Sequence, residues 1–364
     1  MRIVIWTGSA WETWGPESLK TGIGGSELAA IHVAAGLAKL GHEVEVIGQV
    51  IPGVWRGVRF TYFMDYMMVG KSIDCDVFIS SRHLSALRLL PTTRLSVLWM
   101  HDIHVGADLN CHMKEYDIIL NLSEWARSTA MRFYPAVPPE RFVVTRNGID
   151  TSLFTELPVP KEGCKVVYSS SPDRGLDKLL DYWPAIREMR PDAELHVYYG
   201  FDTWERMAEV HKDKIAKLQI GIFRTRLASM EEQGVVAHGR VGQAELAKAW
   251  MGASLWLYPT SFSETSCITA MEAQAAMAWP ITSKLAALQE TVRQGVLINP
   301  PNTRDGYREE FLGQVRLFLD GVNVDRLKSQ FLARNWAMEE LDWDGVAKQW
   351  EELFSNRLNL AKRP

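Results

Sequence analysis

Cysteine is scarce in this chain. The 364 residues hold Cys75, Cys111, Cys164 and Cys267, none of them at the spacing of a zinc or redox pair. That excludes a disulfide-stapled scaffold and points to reduced thiols in a cytoplasm. Long apolar runs are missing too. No stretch approaches the ~20 residues that cross a bilayer, and the opening MRIVIWTGSAWETW has neither the basic start nor the apolar centre of a signal peptide. A cytoplasmic protein is expected, with docking onto a membrane surface left open. Positive charge is not in excess either: 40 Lys and Arg against 44 Asp and Glu leave a formal net charge of −4, which argues against nucleic acid as a partner. Low-complexity tracts and short internal repeats are likewise lacking.

What is present is a folded composition, 47% hydrophobic and 23% charged, in a chain long enough for two domains of similar size. RIVIW (Arg2 to Trp6) is a short β-rich run. GIGGSELAAIHVAAGLAKLGHEVEVIG then predicts a helix capped by Gly25 or Ser26, with an apolar stripe of Leu28, Ile31, Ala35, Leu37 and Leu40, ended by Gly41 and followed by the strand EVEVIG. Strand, helix, strand implies a parallel sheet. DCDVFISS, RLSVLWMHD, YDIILNLS and RFVVTRNG continue it as buried strands. The Pro- and charge-rich TELPVPKEG reads as a linker, after which the rhythm restarts in KVVYSSS, AELHVYYG, VVAHGR and ASLWLYPTS. The helical patterns RGLDKLLDYWPAIREM, DTWERMAEVHKDKIAKLQ and QAELAKAWMGA lie between them. Two doubly wound α/β domains are expected, with ligand groups at the carboxyl ends of the strands and a cleft between the domains.

The stretch SETSCITAMEAQAAMA raises a chemical question, because Glu264 stands at the mouth of an apolar, Ala-rich helix and Glu272 eight positions later inside it. The strand-to-helix turn bares the backbone N–H groups of Ser266, Cys267 and Ile268 at the positive end of a helix, a ready anion site. Glu264 can cap that helix or accept from a ligand hydroxyl. A carboxylate at Glu272 is costly to bury unless it has donors, and vicinal sugar or ribose hydroxyls are donors of the right kind. By spacing alone, a capping Glu264 and a solvent-facing Glu272 are the commoner outcome. His101, with Asp102 and His104, lacks a further ligand for a metal and reads as a strand-end histidine in a polar cleft. Trp11 and Trp14 in SAWETWGPE are either a stacking surface for a sugar or lipid, or loop packing. Cys267 reads as a small residue at a helix start, with no base assigned to it.

These pieces together resemble retaining glycosyltransferases of the GT-B fold, family 4. SETSCITAME resembles their E-x(7)-E signature, GIGGSE their N-terminal glycine loop, WMHD their strand-end histidine, and RNGIDTSLF their signature at the domain junction. VVAHGRVGQAELAKAW and WPITSKLAALQETV resemble the flanking segments of their nucleotide site. The resemblance spans nearly the whole chain. It implies a GT-B architecture with an acceptor-side domain over residues 1–153, a nucleotide-sugar domain over 154–335, and a C-terminal segment, 336–364, whose helix crosses back to the first domain. It implies a nucleoside diphosphate sugar donor, a carbohydrate or other hydroxyl acceptor, no cofactor and no metal. Glu272 would bind the donor ribose. Glu264 would face the transferred sugar beside the amides of Ser266, Cys267 and Ile268. Gly24 and Gly25 would let donor phosphate and acceptor approach the main chain, His101 would lie against the donor sugar, and Arg174 would neutralise the leaving diphosphate. A basic pair is usual there; Tyr168 and Ser169 stand where the first Arg is expected, with Lys178 one turn beyond Arg174 as a substitute. The alternatives on this fold are a sugar-nucleotide 2-epimerase and a non-catalytic nucleotide-sugar-binding subunit.

Overall fold

A computed structural model describes residues 1–69, 72–103, 112–157, 161, 163–300, 304–321 and 323–360. His104, Cys111 and Pro158, Val159, Pro160 and Glu162 of the TELPVPKEG stretch lie outside them. In chain order the first elements are β1 (Arg2–Gly8), α1 (Gly25–Lys39), β2 (Glu43–Gly48), β3 (Gly53–Trp55), β4 (Val58–Tyr62), α2 (Phe63–Val69), β5 (Asp74–Ser81), β6 (Thr92–Trp99), β7 (Ile118–Asn121), α3 (Glu124–Phe133) and β8 (Phe142–Val144). After them come β9 (Cys164–Tyr168), α4 (Leu176–Met189), β10 (Ala193–Val197), α5 (Asp202–Val210), α6 (Lys214–Ser229), β11 (Val235–Ala237), α7 (Gln243–Gly252), β12 (Leu255–Tyr258), α8 (Ile268–Ala275), β13 (Trp279–Ser283), α9 (Leu288–Thr291) and β14 (Val296–Ile298). Three helices close the chain: α10 (Arg304–Leu319), α11 (Val324–Glu340) and α12 (Trp343–Leu360). Among the described residues no helix is long and apolar enough to cross a membrane.

The chain divides into two compact units, one of Met1–Leu19, Ile23–Gly148 and Leu341–Pro364, the other of Lys20–Gly22 and Ile149–Glu340. TELPVPKEG therefore lies inside the second unit and is not the junction that its composition suggests. Arg334 of α11, 5% exposed, donates to the carbonyls of Phe154 and Glu156 and ties that segment down.

The first unit carries a sheet in the order β3-β4-β2-β1-β5-β6-β7-β8, parallel except for the edge strand β3 against β4. Its central strands are covered on both faces, which is why they read as unbroken apolar runs. β1 is in register with both neighbours: Ile3 is opposite Val44 and Val77, and Ile5 opposite Val46 and Ile79. Its helix α1 departs from the expected stripe. Leu28 to Leu37 are all buried, because α12 covers the face that solvent was expected to wet. Gly36 is where the two helices meet; a Cβ there would sit 2.6 Å from that of Ala347. The Trp350 indole N–H reaches Thr145 Oγ1 at 2.7 Å, and its ring meets Trp99 edge-on. Burying such aromatic area against the sheet is worth several times the hydrogen bond.

The second unit carries the parallel order β11-β10-β9-β12-β13-β14. One expected helix, DTWERMAEVHKDKIAKLQ, is two. Lys212 takes φ 53, and Asp213 begins α6 by accepting from Ile215 and Ala216 N–H at 2.9 and 3.0 Å. In both sheets the strand order reverses once, between β1 and β5 and between β9 and β12. Crevices at the carboxyl ends of those pairs are where ligands bind open α/β sheets.

Candidate active site

In the second unit the site begins at the β9/β12 reversal. β12 ends at Tyr258, and the loop after it carries Glu264, 5% exposed. The Tyr258 hydroxyl donates to Glu264 Oε1 at 2.7 Å, and Arg174 Nη1 lies 3.3 Å from both carboxylate oxygens. The Glu264 carbonyl meanwhile accepts from Ala287 N–H at 3.1 Å, so main chain and side chain are both held. Of its two expected roles the carboxylate is therefore an acceptor and not the cap: α8 is capped by Cys267 with no side-chain bond. A buried carboxylate is tolerated because a cation and a phenol supply its donors.

Arg174 ends the one-turn segment Pro172–Arg174 that follows β9. Its guanidinium lies 4.1 Å over the Phe262 ring. Burial works against its charge, but Glu264 and then Tyr258 outweigh it and lift its pKa further above the ordinary arginine value. Burial, with Glu264 adding to it, raises the Tyr258 phenol well above its usual range, so it stays a donor. Gly175 makes this close approach of two loops possible: its φ is +116°, and a Cβ would lie 2.8 Å from the Pro259 carbonyl.

Beside this pair the N–H groups of Ser266, Cys267 and Ile268 donate to no acceptor among the described residues, and the Ser266 hydroxyl, buried, has no partner there either. Bare amides at a helix start are a site for anions or hydroxyl oxygens. The Cys267 thiol, pushed up to about 12 by burial and then by Glu264, is no nucleophile. Glu272 sits on α8 at 7% exposure, against the solvent-facing alternative. One oxygen, Oε2, accepts from the Trp250 indole N–H at 3.1 Å. Burial pushes the carboxyl up to about 7, with Trp250 opposing. Lys178, half-buried on α4, makes no hydrogen bond or ion pair among the described residues. Tyr168, at the position of the expected first arginine, is buried and donates to the Ser171 carbonyl.

In the first unit the β1/β5 reversal gathers a second set. Gly24 is the N-cap of α1, with Gly25 its first residue, so neither Gly25 nor Ser26 caps it. Arg82 follows β5 with φ 69°, an uncommon backbone for a side-chain-bearing residue. It donates to Asp102 Oδ2 at 2.7 Å and Ser26 Oγ at 3.0 Å, and Glu27 Oε1 is 4.0 Å away. His101 lies against the Trp99 ring, centroids 4.3 Å apart; burial, helped by Arg82, pushes its imidazole down to about 3. Arg82 and Glu27 escaped the sequence reading, since three distant segments meet there. Tyr258 and Trp250 escaped it too, although a tyrosine at a strand's carboxyl end is a visible signal.

The tripeptide Asp-x-Asp, a spacing that can hold a metal, occurs twice, as Asp74-Cys75-Asp76 and Asp342-Trp343-Asp344. Asp76 is engaged by Arg2 N–H and Arg94, and Asp344 by Lys39. Among the described residues no three His, Cys, Asp or Glu side chains form a metal set.

No protein-family model matches the chain. It is 24% identical over 260 residues to an alpha-maltose-1-phosphate synthase of Mycolicibacterium smegmatis, a match covering 65% of this chain and 62% of that protein's length. In three dimensions it is similar to a sucrose-phosphate synthase from Thermosynechococcus elongatus, at TM-score 0.70, 15% identity and coverage of 99% of this chain and 100% of that one. A glycosyltransferase from Rickettsia africae superposes at TM-score 0.71 with 13% identity and 98% coverage of each chain. The chain has the GT-B fold, two Rossmann-like units of parallel sheet and helix joined in one polypeptide.

Proposed function

We propose that the protein is a retaining, metal-independent glycosyltransferase of family 4 type, moving a sugar from a nucleoside diphosphate sugar to an acceptor hydroxyl. The observation that carries this reading is the Arg174–Glu264 pair, joined at 3.3 Å beside the amides that open α8, with Glu272 about one turn into the same helix. In this reading Glu272 takes the ribose hydroxyls of the donor, since a carboxylate can accept two at once. The amides of Ser266, Cys267 and Ile268 hold sugar hydroxyls or the diphosphate. Arg174, with Lys178 as second cation, offsets the charge that develops on the leaving diphosphate. Glu264 orients the transferred sugar. His101, neutral at physiological pH, lies against that sugar, and Gly24 and Gly25 give the main chain a close approach once the Glu27 carboxylate that lies over Gly24 swings aside.

The chemistry asks for no enzyme-linked intermediate. Same-face attack by the acceptor hydroxyl passes through an oxocarbenium-like state, and the departing phosphate draws the acceptor proton. The protein contributes position and charge stabilisation. Transfer is preferred to 2-epimerisation or to a non-catalytic role because the similar proteins named above are synthases and a glycosyltransferase. A cytoplasmic setting goes with this reading.

A thermal-shift screen of nucleoside diphosphates and their sugars tests it. A ligand at about a hundred times its dissociation constant adds about 2.7 kcal/mol of stability. A diphosphate that stabilises the protein, and whose sugar ester is turned over when acceptor is added, supports transfer. No shift with any of them would sink the proposal.

A further inference from the structure

Helix α6 is apolar on two sides, and the fold uses one of them. Ala216, Ile220 and Leu227 are buried where it packs on α5 and β11. Further round the cylinder Ile215, Leu218 and Ile222 stand 71%, 66% and 57% exposed, at the i, i+3, i+7 spacing of a second helical face. A contiguous apolar face of this kind marks a contact still to be made.

Two features of the face say what makes that contact. The first is size. Large side chains occupy its first half, whereas Gly221, Thr225, Ala228 and Ser229, all exposed, leave the middle and second half low. Above Gly221, at the midpoint of the helix, a Cβ would meet nothing within 4 Å. Glycine weakens an exposed helix interior, and its use there is to let another backbone come close. The second feature is charge. Lys217, Arg224 and Arg226 are matched within the chain, by Glu209 at 3.9 Å, Glu205 at 2.5 Å and Asp181 at 2.6 Å. The Asp213 carboxylate is turned onto the amides of Ile215 and Ala216. That leaves Lys212 and Lys214 at the start of the helix, and Glu231 and Glu232 just beyond its end, exposed and without an ion pair among the described residues.

We propose that this face docks a second copy of the chain, whose α6 runs antiparallel to the first across a two-fold axis near Gly221 and Ile222. The proposal is independent of the glycosyl-transfer reading. Residues equally far from the axis on opposite sides then meet. Ile215 comes over Ala228 of the partner subunit, Leu218 over the partner's Thr225, and Lys212 reaches the partner's Glu231, each contact being made twice by the symmetry. Large meets small and basic meets acidic along the whole helix. A parallel pairing would instead set the two lysines against their own copies. An anionic membrane would attract the lysines and repel Glu231 and Glu232, and the low half of the face would not reach it. One helix pair buries less than the ~1,200 Å² at the small end of standard interfaces, so the dimer should depend on concentration.

Sedimentation velocity of the full chain over a dilution series tests it. A reversible monomer–dimer equilibrium is expected, weakened at least about tenfold by Leu218→Glu and by Gly221→Leu. Gly221→Leu favours the helix in the monomer, so a melting temperature that does not fall shows the lost association is not unfolding. Orientation is read by oxidising a mixture of Leu218→Cys and Thr225→Cys chains. The antiparallel pair predicts disulfides between the two variants in preference to either with itself. A protein that is monomeric at every concentration overturns the proposal, as does a dimer unmoved by both substitutions or a preference for self-linked disulfides. A monomer that sediments with phosphatidylglycerol vesicles, and loses this with Leu218→Glu, gives the face to a membrane and overturns it too.

Discussion

The Trp250 indole donates to Glu272 Oε2 at 3.1 Å, and both side chains are buried where α7 packs against α8. One neutral donor is a poor substitute for water around a carboxylate, so burial governs its ionisation.

The first prediction follows from that pair. The Glu272 carboxyl is raised from 4.5 to about 7. An acid raised by folding carries no penalty below its unfolded pKa and the full penalty above its folded one. Across that window the cost is about 3 kcal/mol, at about 1.4 kcal/mol per pKa unit. The free protein should lose stability as pH rises from 4.5 to about 7, and Glu272→Gln should flatten that part of the curve. Urea unfolding at several pH values decides it; equal slopes for the two proteins would count against the assignment. Glu272→Ala should chiefly weaken donor binding, and an unchanged donor affinity would remove its ribose role.

Arg174 stands between two demands. Its charge balances buried Glu264 in the free protein and, in the proposed reaction, the leaving diphosphate. Arg174→Ala should depress kcat by more than tenfold, since a charge contact at the leaving group is worth about 3 kcal/mol. It should also lower the melting temperature, because among the described residues Glu264 keeps only Tyr258 as a side-chain donor. Turnover that survives the change assigns the clamp to Lys178 or another cation.

Gly175 offers a test of geometry free of charge effects. With φ at +116° and the Pro259 carbonyl 2.8 Å from any added Cβ, Gly175→Ala forces the β9 and β12 loops apart. A loss of about 1–3 kcal/mol in stability is expected. Thermal unfolding with the wild-type melting temperature would contradict it.

The thiols supply a chemical readout. Burial raises Cys75 and Cys164 to about 11 and Cys267 to about 12. Thiolate is the reactive form, so iodoacetamide at about pH 8 should leave these residues unmodified in the native protein and label all of them in denaturant. Peptide mapping reads this directly. Native labelling at Cys267 would contradict its burial and its raised pKa.

Much of this was legible in the residues themselves. A strand covered on both faces has to be apolar along its whole length, so RIVIW, DCDVFISS and ASLWLYPTS announce themselves wherever they occur. Their alternation with helical patterns leaves a parallel sheet as the outcome, and Glu272 inside an Ala-rich helix was recognisable as an acid short of donors. Other features needed the folded chain. The stripe on α1 was misread because only the return of α12, more than three hundred residues later, buries its outer side. The break at Lys212 rests on one left-handed residue within a continuous helical pattern, which periodicity averages away.

The sequence by itself determined the alternation of elements, the two-unit plan and which helix carries the two acids, because periodicity and turn chemistry act over a few neighbouring residues. Only the tertiary structure decided the partners: Arg174 and Tyr258 for Glu264, Trp250 for Glu272, and Arg82 for Asp102 and Ser26. Those residues are brought together by strand order in the sheet, and strand order is set by how whole faces pack, which no local window of the chain contains.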